Sequence, residues 1–333
     1  MARCVLALGP DSAGEVLTGL VANATKRIDA AVYEVGPSYA ALLARATGRG
    51  VALRLLLDAH SGANSTTCRV LRGTGAECCV LGGHPGVEAH WKLLLVDGHT
   101  VAVGSGNLIH RDAPDPGRPG TREWWSTVAD APSLLRAART AFDRGWREAA
   151  APPATWRRAL GVVPVPPPVG VPHPTVAPLS LDLAEGALHL AAGGAEVAAL
   201  LGARLAAARA RALVTVPYVH TRVAAVCVLL DALAAARANG TDVRLLLGTQ
   251  PDPLDARALR HSSFHVRVMD PARCTTGHAK GVVADGVAVV GSANWSGAGL
   301  GGNREAALVL DDPRAADYYA AALERDWEVS TSV

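Results

Sequence analysis

The amino-acid sequence predicts an α/β protein made of two similar units, each a mixed sheet flanked by helices. Three observations predict this architecture. One polar motif occurs twice, helix-like and strand-like segments follow in the same order in both halves, and a proline-rich segment separates the halves. The chain of 333 residues is long enough to bury two cores of this kind. Internal repetition therefore indicates duplication of one α/β unit.

The repeated motif consists of a histidine, a lysine, an aspartate and a Gly-Ser-x-Asn segment at nearly constant spacing. Its first copy comprises His90, Lys92, Asp97, Gly104, Ser105 and Asn107. Its second copy comprises His278, Lys280, Asp285, Gly291, Ser292 and Asn294. The second copy is one residue shorter before its Gly-Ser pair, and Ala293 stands where the first copy has Gly106. Such a string seldom recurs in order by chance, so it predicts one shared function.

The segments that precede the motifs also match. In the first half we predict a helix over 12–26, a strand over 28–35, a helix over 38–47 and a strand over 51–57. In the second half we predict a helix over 195–210, a strand over 212–218, a helix over 222–238 and a strand over 242–247. The strands at 51–57 and 242–247 are nearly continuous apolar runs, which are typical of buried parallel strands.

The segment 151–178 contains nine prolines. Because proline fixes φ and lacks an amide donor, this stretch cannot form a helix interior or a central strand. We therefore predict a first unit over 1–150, a linker over 151–178 and a second unit over 179–333.

Each motif predicts a β-hairpin. Apolar strands flank the Asp-Gly pairs at 97–98 and 285–286, which are hairpin-turn signals. A histidine and a lysine two residues apart point to the same face of the first strand. Asn107 and Asn294 leave the end of the second strand beside them, so a hairpin brings the three side chains together.

Two histidines, two lysines and two asparagines suit the cleavage of a phosphodiester. Ammonium and amide groups can hold the charge that develops on the phosphoryl oxygens. One imidazole can attack phosphorus and the other can give a proton to the leaving oxygen, because a pKa of about 6.5 suits both roles. This chemistry requires no metal ion and no other cofactor. Glu123 and Glu305, which both follow an arginine, are predicted to accept from the histidine Nδ1 atoms and to select the reactive tautomer.

With this motif the chain resembles the phospholipase D superfamily, in which H-x-K-x4-D-x6-G-S-x-N occurs twice. The resemblance covers essentially the whole chain. It implies two phospholipase D-like α/β units related by a pseudo-twofold axis, an active site at their interface, and a phosphohistidine intermediate formed without metal. It assigns active-site roles by position to His90, Lys92, Ser105, Asn107, His278, Lys280, Ser292 and Asn294, and it favours His90 as the nucleophile.

The remaining candidates come from the residues themselves. Glu123 and Glu305 join the catalytic set, as do Asp97 and Asp285, although the turn positions of both aspartates favour a role in setting the hairpin. Tyr33 and Tyr218 end matched strands, so they are predicted to bind substrate together with Ser105 and Ser292.

Composition limits the partners. The net charge is +2, with 32 basic and 30 acidic residues, whereas a dedicated duplex-DNA binder carries a strong basic excess. The sequence has no run of 18 apolar residues, so we expect no membrane-spanning helix. The N-terminal segment has too few apolar residues for a secretory signal. These features predict a cytoplasmic protein, peripheral to the membrane if it acts on lipid.

The leading functional hypothesis is a phosphodiesterase that hydrolyses phospholipids at a membrane surface, or exchanges their head groups. Because both motifs lie in one chain, we expect a monomer. The alternative is a nuclease for DNA or RNA that uses the same two histidines, and it requires a basic cleft. Arginines able to build one are Arg111, Arg118, Arg122, Arg257, Arg260, Arg267 and Arg273. A third hypothesis, an inactive scaffold or binding protein, does not explain why both histidines and both lysines are present.

Overall fold

The strands of the described chain form two eight-stranded mixed sheets, one in each half. A computed structural model describes residues 1–82, 87–115, 117–152, 176–270 and 276–333. Most of the predicted linker, residues 153–175, lies outside this part of the chain.

The elements follow one another along the chain with these bounds. The first sheet contains β1 (Ala2–Gly9), β2 (Arg27–Val32), β3 (Ala52–Asp58), β4 (Glu77–Leu81), β5 (Lys92–Val96), β6 (Thr100–Gly104), β7 (Glu123–Ala129) and β8 (Leu179–Leu183). The second contains β9 (Leu188–Ala192), β10 (Arg211–Val216), β11 (Asp242–Leu247), β12 (His265–Val268), β13 (Gly281–Ala284), β14 (Val287–Gly291), β15 (Ala306–Asp311) and β16 (Thr331–Ser332). The α-helices are α1 (Ala13–Ala22), α2 (Pro37–Gly48), α3 (Asn64–Leu71), α4 (Pro132–Glu148), α5 (Gly194–Ala207), α6 (Ala224–Ala238), α7 (Pro253–Arg260) and α8 (Pro313–Glu328).

The two sheets repeat one topology. The first has the order β4-β3-β2-β5-β6-β7-β1-β8, and the second has the order β16-β12-β11-β10-β13-β14-β15-β9. Seven strands correspond in the same order, with the parallel set β2, β3, β4 matching β10, β11, β12. The α/β fold of two similar units that the sequence predicts is confirmed.

Local sequence signals account for several helix ends. Four helices, α2, α4, α7 and α8, begin with proline at the first position, where its missing amide costs no helical hydrogen bond. The Asp312 side chain caps α8 by accepting from the Arg314 amide. After α2 the chain turns at Gly50, whose φ of 93° suits glycine.

Three apolar clusters divide the interior. One packs α1 to α3 on the outer face of the first sheet, and a second packs α5 to α7 on the second sheet. The third lies between the sheets and includes α4 and α8. In this central cluster Trp124 stacks on Tyr319 with ring centroids 4.5 Å apart. A Cβ at Gly281 would lie 2.1 Å from the Trp124 ring, so this glycine of the second hairpin gives the tryptophan its space.

The two hairpins differ only at their turns. In the first hairpin Val96 pairs with Thr100, which leaves a three-residue turn, whereas Ala284 pairs with Val287 across two residues in the second. The shorter spacing of the second motif is therefore absorbed in the turn. The hairpin strands take matching places in the two sheets.

One strand departs from the predicted division of the chain. Strand β8, at the start of the predicted second unit 179–333, pairs antiparallel with β1 at the edge of the first sheet. The sequence did not predict the strands β1, β4, β8, β9, β12 and β16, the short helices α3 and α7, or the two long helices α4 and α8. None of the described helices is both long and apolar enough to cross a bilayer.

Candidate active site

The inner ends of the two hairpins meet where the halves join. Backbone pairing between Arg122 and Gly277 connects the start of β7 to the chain just before β13, with Arg122 N donating to Thr276 O at 2.8 Å and His278 N donating to Arg122 O at 3.0 Å. Ala89 and Arg304 form the matching bridge on the other side. Each histidine is therefore delivered beside the glutamate of the opposite half.

Both histidines are held through Nδ1 by these glutamates. His278 Nδ1 lies 2.6 Å from Glu123 Oε1, and His90 Nδ1 lies 3.0 Å from Glu305 Oε1. Because an ionised carboxylate can only accept, Nδ1 carries the proton and Nε2 is left as the reactive nitrogen. Both glutamates are fully buried, and burial raises the pKa of Glu123. The His90 side chain is 8% exposed, compared with 25% for His278.

The serines of the two motifs contact the glutamates and not the cleft. The Ser105 hydroxyl donates to Glu123 Oε2, and the Ser292 hydroxyl donates to Glu305 Oε2. Each serine oxygen also accepts a backbone amide from the following strand. Both serines are fully buried. Their predicted role in direct substrate binding does not fit this geometry, because their hydroxyl protons are already committed to the carboxylates.

Two buried lysines provide the positive charge of the site. Lys92 Nζ donates to His90 O at 2.8 Å, and Lys280 Nζ donates to His278 O at 2.6 Å. Lys280 Nζ also lies 2.7 Å from His278 Nε2. Burial lowers the pKa of Lys92 to about 8 and that of Lys280 to about 7. Burial likewise lowers the pKa of both histidines, most strongly that of His278, where Lys280 adds to the effect.

The asparagines of the two motifs have matching environments. Within the described chain, Asn107 Oδ1 and Asn294 Oδ1 are both buried without a hydrogen-bond partner. An amide turned by 180° would present its NH₂ group at the same place, and the two orientations differ only in hydrogen bonding. The Oδ1 position of each asparagine therefore has unused hydrogen-bonding capacity.

The two tyrosines lie beside motif residues, Tyr33 next to His90 and Tyr218 next to Asn294. The Tyr33 ring meets the His90 ring edge-on, with centroids 5.3 Å apart, and Lys92 Nζ lies 5.5 Å from the Tyr33 centroid. Tyr218 lies near Asn294 and is half-buried. Their predicted role in binding substrate stays a prediction.

The motif aspartates lie at the opposite ends of the hairpins. Asp97 accepts from the amides of Thr25, Lys26 and Arg27 at 2.8 to 2.9 Å. Asp285 accepts from the amides of residues 209–211 at 2.8 to 3.0 Å. Five residues of strand separate Asp97 from Lys92, which is about 17 Å. The geometry therefore supports the turn-setting role of both aspartates and not the catalytic one.

Sequence reasoning missed one buried acid of the site, Asp112, and named Arg122 only as a candidate for a basic cleft. Asp112 is fully buried near Glu123 and His278. The second repeat has no corresponding acid, so a comparison of the two repeats could not reveal it. Arg122 is buried between Asp11 and Asp326, at 2.9 and 2.8 Å. An Arg-Glu pair occurs in both halves, and this repetition was the signal from which a structural role of Arg122 could have been predicted.

The site contains one set of side chains close enough together to bind a cation. Among the described residues, Asp112, Glu123 and His278 bring three potential ligand atoms within 4.8 Å of one another. Glu123 and His278 already bond to each other, and the Lys280 ammonium lies beside His278. A cation at this position would face that ammonium, so the set fits proton transfer better than metal binding.

Known proteins share this arrangement of two repeats. The family model described as cardiolipin synthase, phospholipase D-like domain, matches residues 17–142 and 201–327. No curated protein matches the chain in sequence.

Similar solved structures extend over nearly the whole chain. Phosphatidylserine synthase from Haemophilus influenzae Rd KW20 has a TM-score of 0.66 and 13% identity over 98% of this chain and 87% of that one. Polyphosphate kinase from Porphyromonas gingivalis has a TM-score of 0.62 and 14% identity over 97% of this chain, which spans 50% of the length of the kinase. At these identities the likeness shows the fold alone. Because the family model matches both repeats and well over half of the residues, the chain belongs to the cardiolipin synthase, phospholipase D-like domain family.

Proposed function

We propose that the protein is a phosphodiesterase that cleaves phospholipids, or transfers their phosphatidyl group, through a covalent phosphohistidine and without metal. The observation that carries this proposal is the pair of crossed contacts between His278 and Glu123 and between His90 and Glu305. These contacts leave two Nε2 atoms as the reactive nitrogens beside two buried ammonium groups.

The reaction has two steps. In the first, His90 Nε2 attacks phosphorus, the bond from phosphorus to the head-group oxygen breaks, and His278 gives its proton to that oxygen. In the second, His278 takes a proton from water or an acceptor alcohol, whose oxygen attacks phosphorus and breaks the phosphorus–nitrogen bond to His90. Water yields phosphatidic acid, and an alcohol yields a new phospholipid.

The roles of the two histidines are supported by their different contacts. Lys280 Nζ lies 2.7 Å from His278 Nε2, so this nitrogen shares a proton with a basic neighbour. Among the described residues, the hydrogen bonds of the His90 ring go through Nδ1, and none is found at its Nε2. His90 Nε2 is therefore free to attack phosphorus, and His278 Nε2 can exchange a proton with Lys280.

The lysines and asparagines would bind the phosphoryl oxygens. Two ammonium groups counter the negative charge of the diester, and the amides of Asn107 and Asn294 add two donors. An anion bound here would raise the lowered lysine pKa values again, because an opposite charge favours the protonated form. The enzyme would thus gain its full positive charge as substrate binds.

Phospholipid is favoured over nucleic acid by the charges at the cleft. Burial raises the pKa of Tyr33, and the carboxylates of Asp58, Glu88 and Glu34 raise it further, so acidic groups surround this tyrosine. A polyanion would be repelled there, whereas a lipid brings a single phosphodiester.

Two of the seven arginines named for the nuclease hypothesis are engaged in other contacts. Arg122 is buried against Asp11 and Asp326, and Arg267 packs over Trp327 and donates to its carbonyl. Arg273 lies outside the described residues. The basic groove that a nuclease needs would have to form without Arg122 and Arg267.

A substrate panel tests the proposal. Phosphatidylcholine vesicles, single-stranded DNA and RNA are compared in one buffer with and without EDTA. We expect release of choline and phosphatidic acid that EDTA leaves unchanged, and no cleavage of either nucleic acid. Preferential cleavage of DNA or RNA would establish the nuclease alternative, and loss of activity on chelation would contradict the metal-free mechanism.

Two alanine variants test the histidines. His90→Ala and His278→Ala should each abolish turnover, and a near-normal rate in either would overturn the two-histidine mechanism.

Because one chain supplies both motifs, we propose a monomer that meets phospholipid at a membrane surface, with a cytoplasmic location. Light scattering of the purified protein would check its mass in solution.

A further inference from the structure

A second buried carboxylate lies beside the Glu123–His278 pair. Asp112 is fully buried, and its Oδ2 accepts from Asn107 N at 2.9 Å while its Oδ1 accepts from Thr121 Oγ1 at 3.1 Å. Its carboxylate lies within 4.8 Å of the ligand atoms of Glu123 and His278. One side chain therefore links the motif asparagine of the first half to the histidine of the second.

The glycine of the first motif leaves space for this pair of acids. A Cβ at Gly106 would lie 2.8 Å from Glu123 Cγ and 3.2 Å from Asp112 Cβ. The second motif has Ala293 at this position. The one difference in residue type within the two Gly-Ser-x-Asn segments therefore coincides with the side on which two carboxylates pack together.

The second half has no equivalent acid. Residues 294–304 contain neither aspartate nor glutamate. Near Glu305 lies the Asn303 amide, whose Nδ2 donates at 3.3 Å both to Glu305 Oε1 and to Glu88 Oε2, and Glu88 is a half-buried carboxylate of the first half. The two histidine–glutamate pairs thus share their geometry, but a fully buried second acid lies beside Glu123, whereas the second acid near Glu305 is half-buried and the Asn303 amide bonds to both.

We propose that Asp112 is a positioning residue that makes the two histidines unequal, because its charge favours the protonated form of His278 and its hydrogen bond fixes Asn107. This inference rests on the proposed function, in which His278 carries the proton. His278 also faces Glu123, Lys280, Lys92 and His90. Burial and the nearby cations lower the pKa of His278, and Asp112 acts in the opposite direction. His90 has no comparable second acid from residues 294–304.

The test compares leaving groups. Asp112→Asn is assayed for the burst of phosphohistidine formation on phosphatidylcholine and on the p-nitrophenyl ester of the same phosphatidic acid. An alkoxide leaves only with a proton, whereas p-nitrophenolate leaves without one. We therefore expect the variant to slow the choline ester about tenfold more than the aryl ester, a part of the 10²- to 10⁴-fold that a general acid supplies.

Asp115→Asn is the matched control. Asp115 lies in the same loop but is exposed, so its loss should leave the ratio of the two rates unchanged. Equal slowing of both esters by Asp112→Asn would overturn the inference, since a merely structural lesion acts on both. If the wild-type protein forms no phosphohistidine on either ester, the proposed function itself fails. If the panel identifies another diester, the same ratio is measured on its alkyl and aryl esters.

A measurement on the unmodified protein covers the case in which Asp112→Asn does not fold. The intermediate is trapped by an alkaline quench and located by mass spectrometry. We expect the phosphoryl group on His90 alone, because His278 retains its proton. Phosphorylation of His278 would overturn the inference while leaving a metal-free phosphohistidine mechanism in place.

Discussion

His278 Nδ1 donates to Glu123 Oε1 over 2.6 Å, although 155 residues separate them in the chain. His90 and Glu305 form the matching pair across 215 residues. Each imidazole is therefore oriented by a carboxylate of the opposite half, and neither histidine is oriented by the glutamate of its own half. The two repeats therefore form one site, in which the glutamate of each half binds the histidine of the other half.

The crossed pairing predicts which histidine each glutamate controls. Glu123→Gln should lower kcat by several orders of magnitude with little change in KM, because the amide no longer selects the Nδ1–H tautomer; amidation of the orienting aspartate in a Ser-His-Asp triad costs about 10⁴-fold. The ¹⁵N resonances of His278 should shift, and those of His90 should not. Glu77→Gln, which removes an exposed carboxylate from β4, serves as the control. A shift confined to His90 would contradict the crossed pairing.

The buried lysines predict an unusually early alkaline limb. Burial lowers the pKa of Lys280 to about 7 and that of Lys92 to about 8. Each lysine carries its charge only below its pKa, so kcat/KM should fall as the pH rises through this range. The limb in kcat should lie at higher pH, because bound phosphate stabilises the ammonium groups. Rates measured between pH 5 and 10 check this. A limb near the ordinary lysine value of about 10.4 would be inconsistent with it.

The hairpins and the composition of the site could be predicted from sequence, because both depend on local spacing. Strand β5 begins at Lys92 and β6 ends at Gly104, as the apolar runs and the Asp-Gly turn indicate. The orientation of the serine hydroxyls could not be predicted. It depends on where Glu123 and Glu305 reach the hairpins from another strand, which is a property of tertiary packing.

Asp112 shows the limit of reading a duplicated sequence by its repeats. The comparison of the two halves finds what both share, and Asp112 occurs in one only. The same reasoning missed β8, whose pairing with β1 depends on where the chain goes after the proline-rich segment. The departures from symmetry, and not the repeats, contain the information that distinguishes the two histidines.

The serine contacts predict an effect on kcat and not on KM. Ser105→Ala removes the hydroxyl that donates to Glu123, which leaves a buried carboxylate short of one partner at a cost of about 1–3 kcal/mol. We expect kcat to fall about 10- to 100-fold. A direct contact with substrate would instead raise KM, so steady-state kinetics on vesicles separates the two roles. Ser292→Ala should behave in the same way.

We predict that removal of the turn aspartate Asp97 lowers the stability of the protein but not its rate of reaction. Burial opposes ionisation of Asp97, but the amides of residues 25–27 outweigh it and lower the pKa to about 2. Its stabilising effect is therefore complete above about pH 4 and is lost as the pH falls towards 2. Asp97→Ala should lower the melting temperature at pH 7 and leave kcat of the folded protein within about twofold. Loss of activity in a folded variant would restore the catalytic role that the motif predicted.

Gly106 and Ala293 occupy the same position in the two Gly-Ser-x-Asn segments. We predict that substitution is tolerated at Ala293 but not at Gly106. Gly106→Ala would bring a Cβ within 2.8 Å of Glu123 Cγ, so the glutamate must shift and His278 with it. We expect kcat to fall at least tenfold, because small displacements of a catalytic group are costly. Ala293→Gly removes only one methyl group from the equivalent position and should change kcat less than about threefold, since it leaves Glu305 in contact with His90. Kinetics of the two variants, together with their melting temperatures, check the difference. Equal effects would mean that the space beside Glu123 is not what requires the glycine.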